Sequence, residues 1–151
     1  GCDCKWVVVD HLHMLVSSVT EGDERRAIDN IMTRLRSLVE ETGAGVILVS
    51  HLRRVQGDKG HENGVSVSLS HLRGSNAIAQ LSDCVIALER DQQSEDELES
   101  RTTRLRVLKS RYTGDVGMAT ALVYDKDTGR LSEYSDHELL NSSTEDLSVP
   151  F

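Results

Sequence analysis

A chain of 151 residues with 38% hydrophobic content can bury one modest core and not two. No apolar run reaches membrane-spanning length, and three cysteines without regular spacing argue against a disulfide framework and for a reducing, cytosolic setting. The net charge of −8 disfavours a nucleic-acid partner until its distribution is read: five of those charges lie beyond Arg130, where no Lys or Arg follows, so the rest carries only −3 and local patches decide.

Trp6-Val7-Val8-Val9-Asp10 is a continuous apolar run closed by a carboxylate, the pattern of a buried parallel strand. In open α/β sheets ligands sit beyond the carboxyl ends of the strands, so Asp10 stands at the mouth of a site. It is read either as a cap or as a carboxylate holding Mg2+ through water beside nucleotide phosphates. The pairs Cys2-x-Cys4 and His11-x-His13 invite a zinc reading, but neither has the spacing of the common structural sites. Ile28, Ile31, Met32, Leu35, Leu38 and Val39 recur at helical spacing from about Asp23 to Thr42, and Gly43 supplies a stop, which predicts a crossover helix between parallel strands. The run Gly45 to Leu48 with Val49 repeats the strand design and ends in Ser50 and His51, so two strands deliver polar groups to one edge. His51 alone fits a structural histidine as well as a functional one.

From Leu52 to about Leu69 a long loop is predicted, with Gly57, Gly60 and Gly64. Its Arg53, Arg54, Lys59 and His61 suit either an ordinary solvated loop or a phosphate contact. A short helix is expected from Gly74 or Ser75 to Ser82, then a strand from Cys84 to Leu88. The acidic cluster Asp91, Glu95, Asp96, Glu97 and Glu99, followed by Arg101, Arg104 and Arg106, reads as a mobile surface loop. Strands follow over Leu105 to Lys109, Ala119 to Tyr124 and Leu131 to Tyr134, the last two joined across the turn Asp125 to Gly129. Lys109 and Arg111 precede a glycine-containing turn; alternate strand residues share a face, so both cations aim the same way from a rigid element, as recognition of a phosphate requires. Residues Ser135 to Phe151 hold few apolar side chains and are expected to be disordered. Because the chain opens at Gly1 without methionine and reaches a core-type strand at once, it is read as the C-terminal part of a longer protein.

Asp10 after three valines, Ser50-His51, Leu72-Arg73-Gly74-Ser75 with Gln80-Leu81-Ser82-Asp83, and the run from Leu108 through Asp115 occur in the order seen in hexameric replicative DNA helicases with a RecA-like core. More closely, the chain resembles the C-terminal half of the helicase domain of short-tailed phage primase-helicases, and the likeness extends to an acidic tail with a terminal aromatic residue. The resemblance implies an α/β, RecA-like P-loop NTPase core, C-terminal part, over residues 1–134: a mainly parallel sheet with flanking helices and a C-terminal β-hairpin, followed by an acidic tail over 135–151. No G-x-x-x-x-G-K-[ST] loop occurs within these residues, nor does the family's catalytic glutamate or a primase domain, so the fragment alone is expected to be inactive.

The resemblance also implies roles. Asp10 matches the second nucleotide-binding motif and would hold the Mg2+ of ATP or dTTP; His51 matches the sensor of the terminal phosphate, and Gln80 falls in the following motif. Lys109 and Arg111 match the pair that reaches a neighbouring subunit's site in a hexameric ring, and Tyr124 matches an aromatic stacking near the base. Arg53, Arg54 and Lys59 match a channel loop for single-stranded DNA, and Arg73 with Gly74 a second channel segment; His71 stands where close relatives have an acidic residue. With only five aromatic residues, contact would be mainly with the DNA backbone and sequence-independent. Glu145, Asp146 and Phe151 match a tether for the replicative DNA polymerase; the competing reading is a solubilising tail. The implied activity is NTP-driven 5'-3' translocation on single-stranded DNA with duplex unwinding, in the cytoplasm of an infected bacterium. The rivals are a RecA-like recombinase ATPase and a degenerate RecA-like module that only binds a partner.

Overall fold

The computed structural model describes residues 3–16, 24–54, 60–74 and 76–134. The predicted DNA contact Lys59 and the tail Ser135 to Phe151, with Glu145, Asp146 and Phe151, lie outside the described residues.

Strand β1 (Trp6–Val9) leads through a 3-10 turn (Leu12–Val16) to helix α1 (Glu24–Thr42), which returns the chain to β2 (Gly45–Leu48). β1 and β2 pair in parallel, Val7 opposite Val46 and Val9 opposite Leu48, so the predicted crossover is present. α1 ends where Gly43 takes φ +68°, and its N–H bonds the Val39 carbonyl at 2.9 Å, the left-handed stop the sequence anticipated. Helix α2 (Ala77–Leu81) is shorter than expected at its start, because Gly74 is in the left-handed region and cannot begin a helix.

The remaining strands are β3 (Cys84–Glu89), β4 (Thr102–Ser110), β5 (Gly117–Tyr124) and β6 (Leu131–Glu133), joined in the order β3-β4-β5-β6 and antiparallel throughout. The antiparallel share is thus larger than a mainly parallel sheet would give, and the cause is connection length. Short links between β4, β5 and β6 can only reverse the chain, whereas a parallel neighbour needs a crossover. The hairpin turn is held by Asp125, whose carboxylate accepts from the Asp127 and Thr128 N–H groups and the Thr128 hydroxyl, contacts that hold its pKa below the usual carboxylate range.

The acidic stretch is not a mobile loop. Asp96 caps helix α3 (Glu97–Arg101) by accepting from the N–H groups of Leu98 and Glu99. Glu99 then pairs with both terminal nitrogens of Arg104, and β4 begins three residues earlier than predicted, at Thr102. Charge density hid a capped helix because its two signs neutralise each other locally.

Leu12 and Ile28 are fully buried and form, with Val16, Met32 and Ile78, one core between the 3-10 turn, α1 and α2; Leu48, Leu72 and Leu81 pack against it. The opposite face stays open: Trp6 and Val8 on β1, Ile47 on β2, and Ile86 and Leu88 on β3 are all more than half exposed. A cleft of about 830 Å³ lies between β2, α1 and the start of β3, lined by Val46, Leu48, Arg36, Asp83 and Cys84 among others. No helix among the described residues is long and apolar enough to cross a membrane.

Candidate active site

The site is built at the two ends of α2. At the first end, Asp10 is exposed just beyond β1 and His51 just beyond β2, so parallel pairing brings the two predicted strand-end groups to one edge. Leu12 closes this edge: its buried side chain anchors the 3-10 turn, and its N–H bonds the Val49 carbonyl at 2.9 Å. That fold-back carries His11 and His13 over His51. The His11 and His51 rings meet edge-on with centroids 4.0 Å apart, and His13 lies 5.8 Å from His51 and 6.1 Å from His11.

His13 is the most confined of the three. Neither ring nitrogen has a hydrogen-bond partner among the described residues, and Glu24 Oε1 stands 3.9 Å from Nε2. Burial, and then the Arg73 guanidinium, hold its pKa below the ordinary histidine value, against the pull of Glu24. Glu24 Oε1 is also 3.9 Å from Arg73 Nη2, so one carboxylate stands between imidazole and guanidinium.

His51 also organises the predicted DNA segments. Its carbonyl accepts the Arg73 N–H at 3.2 Å, the Arg53 N–H bonds the His71 carbonyl at 2.8 Å, and Leu52 and Leu72 form an antiparallel bridge. The segments bearing Arg53 with Arg54 and Arg73 with Gly74 are therefore paired side by side, with all three arginines exposed. Gly74 is fixed by packing: at φ +102° it lets the chain pass so close to Ile28 that a Cβ would overlap the Ile28 Cδ1 methyl.

At the second end of α2, Lys109 Nζ donates to the carbonyls of Ala79, Gln80 and Ser82 at 2.7, 3.1 and 2.8 Å, satisfying the helix's unpaired C-terminal acceptors. Arg111 is tied twice to Asp83, by its backbone N–H to the carbonyl at 2.8 Å and by Nη1 to Oδ1 at 2.9 Å. Arg36 of α1 donates to both Asp83 oxygens, at 3.0 and 2.8 Å. The two predicted cations thus share a face and a target, the α2–β3 turn. Gln80 is exposed beside them.

Tyr124 is not brought to this group. It ends β5, which runs antiparallel to β4 with Val123 opposite Thr102, so it lies at the far end of β4 from Lys109. Asp10 and His51 are likewise separated from Lys109 and Arg111 by α2. Sequence reasoning missed Glu24, Asp83 and Arg36, and noticed His11 and His13 only as a zinc spacing. Among the described residues no group of three or more His, Cys, Asp or Glu side chains is arranged to hold a metal.

A family model for the DnaB-like helicase C-terminal domain matches residues 2–133. The chain belongs to the DnaB-like helicase family. This helicase segment is 42% identical over 135 residues to the DNA helicase/primase of Enterobacteria phage T3, covering 89% of the chain and 23% of that protein. The segment therefore spans about a quarter of its curated relative. Among solved structures it is similar to a DnaB-like replicative helicase described with its interactions with primase, with TM-score 0.65, 24% identity, and coverage of 86% of this chain and 30% of that one. That likeness supports the RecA-like α/β fold expected from the sequence motifs.

Proposed function

We propose that this segment is part of a replicative helicase that, as a hexameric ring, couples hydrolysis of ATP or dTTP to 5'-3' translocation on single-stranded DNA and to duplex unwinding. The observation that carries the reading is the separation of charges by α2: Asp10 and His51 stand at one end, Lys109 and Arg111 at the other. One subunit cannot bring these cations to its own Asp10 without dismantling α2, whereas a neighbour in a ring can present them. The family match and the phage relative favour this over a recombinase or a partner-binding remnant.

Asp10 fits Mg2+ by donor chemistry. It is an exposed hard carboxylate at a strand end, suited to a small cation that keeps most of its waters. When bound, Mg2+ would neutralise phosphate charge. His51 senses the terminal phosphate and passes its position through its carbonyl to Arg73, while Gln80 reports nucleotide state from α2. Arg53, Arg54 and Lys59 with Arg73 and Gly74 contact the DNA backbone, and Tyr124 stacks near the base. Preceding sequence supplies the phosphate-binding loop and catalytic glutamate; the open β-face and the cleft between β2 and β3 give that part of the core a place to seat. Glu145, Asp146 and Phe151 engage the replicative polymerase, a primase acts with the ring, and the setting is the cytoplasm of an infected bacterium.

The test is Arg111→Ala in the full-length protein. Nucleotide binding should persist while turnover falls by about a thousandfold, the scale of a trans-acting arginine, and mixed rings with wild type should be poisoned. Wild-type hydrolysis by the variant refutes the reading.

A further inference from the structure

We infer that Asp83 is a positioning residue that aims Arg111 at the neighbouring subunit's nucleotide; the inference rests on the trans-acting role proposed above. Arg111 lies one residue past the end of β4, where an arginine would ordinarily sample many rotamers. Here its main chain and side chain are both fastened to Asp83, at 2.8 and 2.9 Å, and its guanidinium remains nearly half exposed. A guanidinium has five donors, so one bond to Asp83 fixes its orientation and leaves the others for an incoming phosphate.

The carboxylate is itself held. Arg36 grips both of its oxygens, and Arg36 is locked in turn by Glu40 Oε1 at 2.7 Å. Asp83 carries one negative charge between two guanidiniums, so it cannot neutralise Arg111 completely, and the triad keeps net positive charge facing outward. Its backbone is fixed from the other side, because Ser82 gives its carbonyl to Lys109 Nζ and Cys84 pairs with Ser110. The chain from Glu40 through Arg36 and Asp83 to Arg111 is a supporting shell of the kind that holds a functional side chain within a fraction of an ångström.

The experiment uses full-length protein and DNA-stimulated hydrolysis. Asp83→Asn should lower kcat by about tenfold or more at unchanged KM, and Asp83→Asn/Arg111→Ala should be no slower than Arg111→Ala alone, since both act through one group. Mixing separates aiming from misfolding. Asp83→Asn rings have sound nucleotide sites and a misdirected finger, so adding Asp10→Asn subunits, whose finger is intact, should restore turnover above either parent. Should Asp83→Asn not fold, Arg36→Met takes its place, with a several-fold kcat loss in the wild-type background and none beyond Arg111→Ala. Normal kcat in the Asp83 or Arg36 variant, a faster Asp83→Asn enzyme, or rescue of Arg111→Ala but not of Asp83→Asn by Asp10→Asn overturns the inference. Normal hydrolysis by Arg111→Ala instead overturns the finger role itself.

Discussion

Replacing Gly74 by alanine tests whether this residue is a DNA contact or a packing constraint. At φ +102° an alanine pays the steric cost of the left-handed side of the map, about 1–2 kcal/mol. The new methyl also overlaps Ile28 Cδ1, and Ile28 is fully buried among Leu12, Met32 and Ile78, so it has no free space to enter. Overpacking a core in this way costs roughly 1–3 kcal/mol. Together the substitution should destabilise the region by about 2–5 kcal/mol, and amide exchange in α1 and α2 of the full-length protein should accelerate by about thirtyfold or more. Ile28→Val removes the offending methyl at a cost of its own of about 0.5–1.5 kcal/mol. In the Gly74→Ala/Ile28→Val double variant the overpacking should vanish and the backbone strain should remain, giving a favourable coupling of about 1–3 kcal/mol. Additive effects, or unchanged exchange in Gly74→Ala, would refute the packing argument and leave Gly74 explained by DNA alone.

Arg73→Ala should weaken single-stranded DNA binding and abolish DNA stimulation while basal hydrolysis persists, and the salt slope of binding should fall by about 0.7 for the single phosphate that Arg73 neutralises; an unchanged slope removes Arg73 from the interface. His13 imposes a pH dependence of known sign. Its folded pKa lies below the ordinary 6.5, so the unfolded chain binds the proton first, and stability should fall as pH drops below about 6.5 until the folded ring is itself protonated. His13→Gln should flatten melting temperature against pH in that window, and an unaltered slope would show that His13 is not its source. Glu89 is 6% exposed, accepts the Val67 N–H at 2.7 Å and pairs with Arg106. Glu89→Leu strands both partners and should cost about 2–4 kcal/mol, less than a fully buried pair because Arg106 reaches solvent; a neutral result in urea unfolding would refute this.

What could be read from the sequence was what depends on nearest neighbours along the chain. The 3.6-residue recurrence from Ile28 to Val39 gave α1, and two valine-rich runs gave β1 and β2 with Asp10 and His51 at one edge. Asp83 could not be found that way, because its partners Arg36 and Arg111 lie 47 and 28 residues distant. Neither could the placing of His11 and His13 over His51, which depends on the 3-10 turn folding back onto Val49. Helix α3 was hidden for a different reason. Its five residues contain one leucine, so no hydrophobic period exists to detect, and only the Asp96 cap and the Glu99–Arg104 pair define it.

The same distinction bears on how a nucleotide could be felt at a distance. His51 holds Arg73 through its carbonyl, Arg73 is followed by Gly74 against Ile28, and α2 begins three residues later. The far end of α2 is held by Lys109, next to the turn that holds Arg111. A five-residue helix is too short to bend and is clamped at both ends, so a displacement of the His51 backbone has two outlets: the exposed arginines beside it or the Asp83 turn beyond. Lys109→Met separates these outlets. It releases the carbonyls of Ala79, Gln80 and Ser82 without touching Arg73, so hydrolysis in the ring should fall while DNA affinity at saturating nucleotide is kept. Equal loss of both would mean that α2 does not divide the site, and that the DNA segments depend on the β4 end as much as on His51.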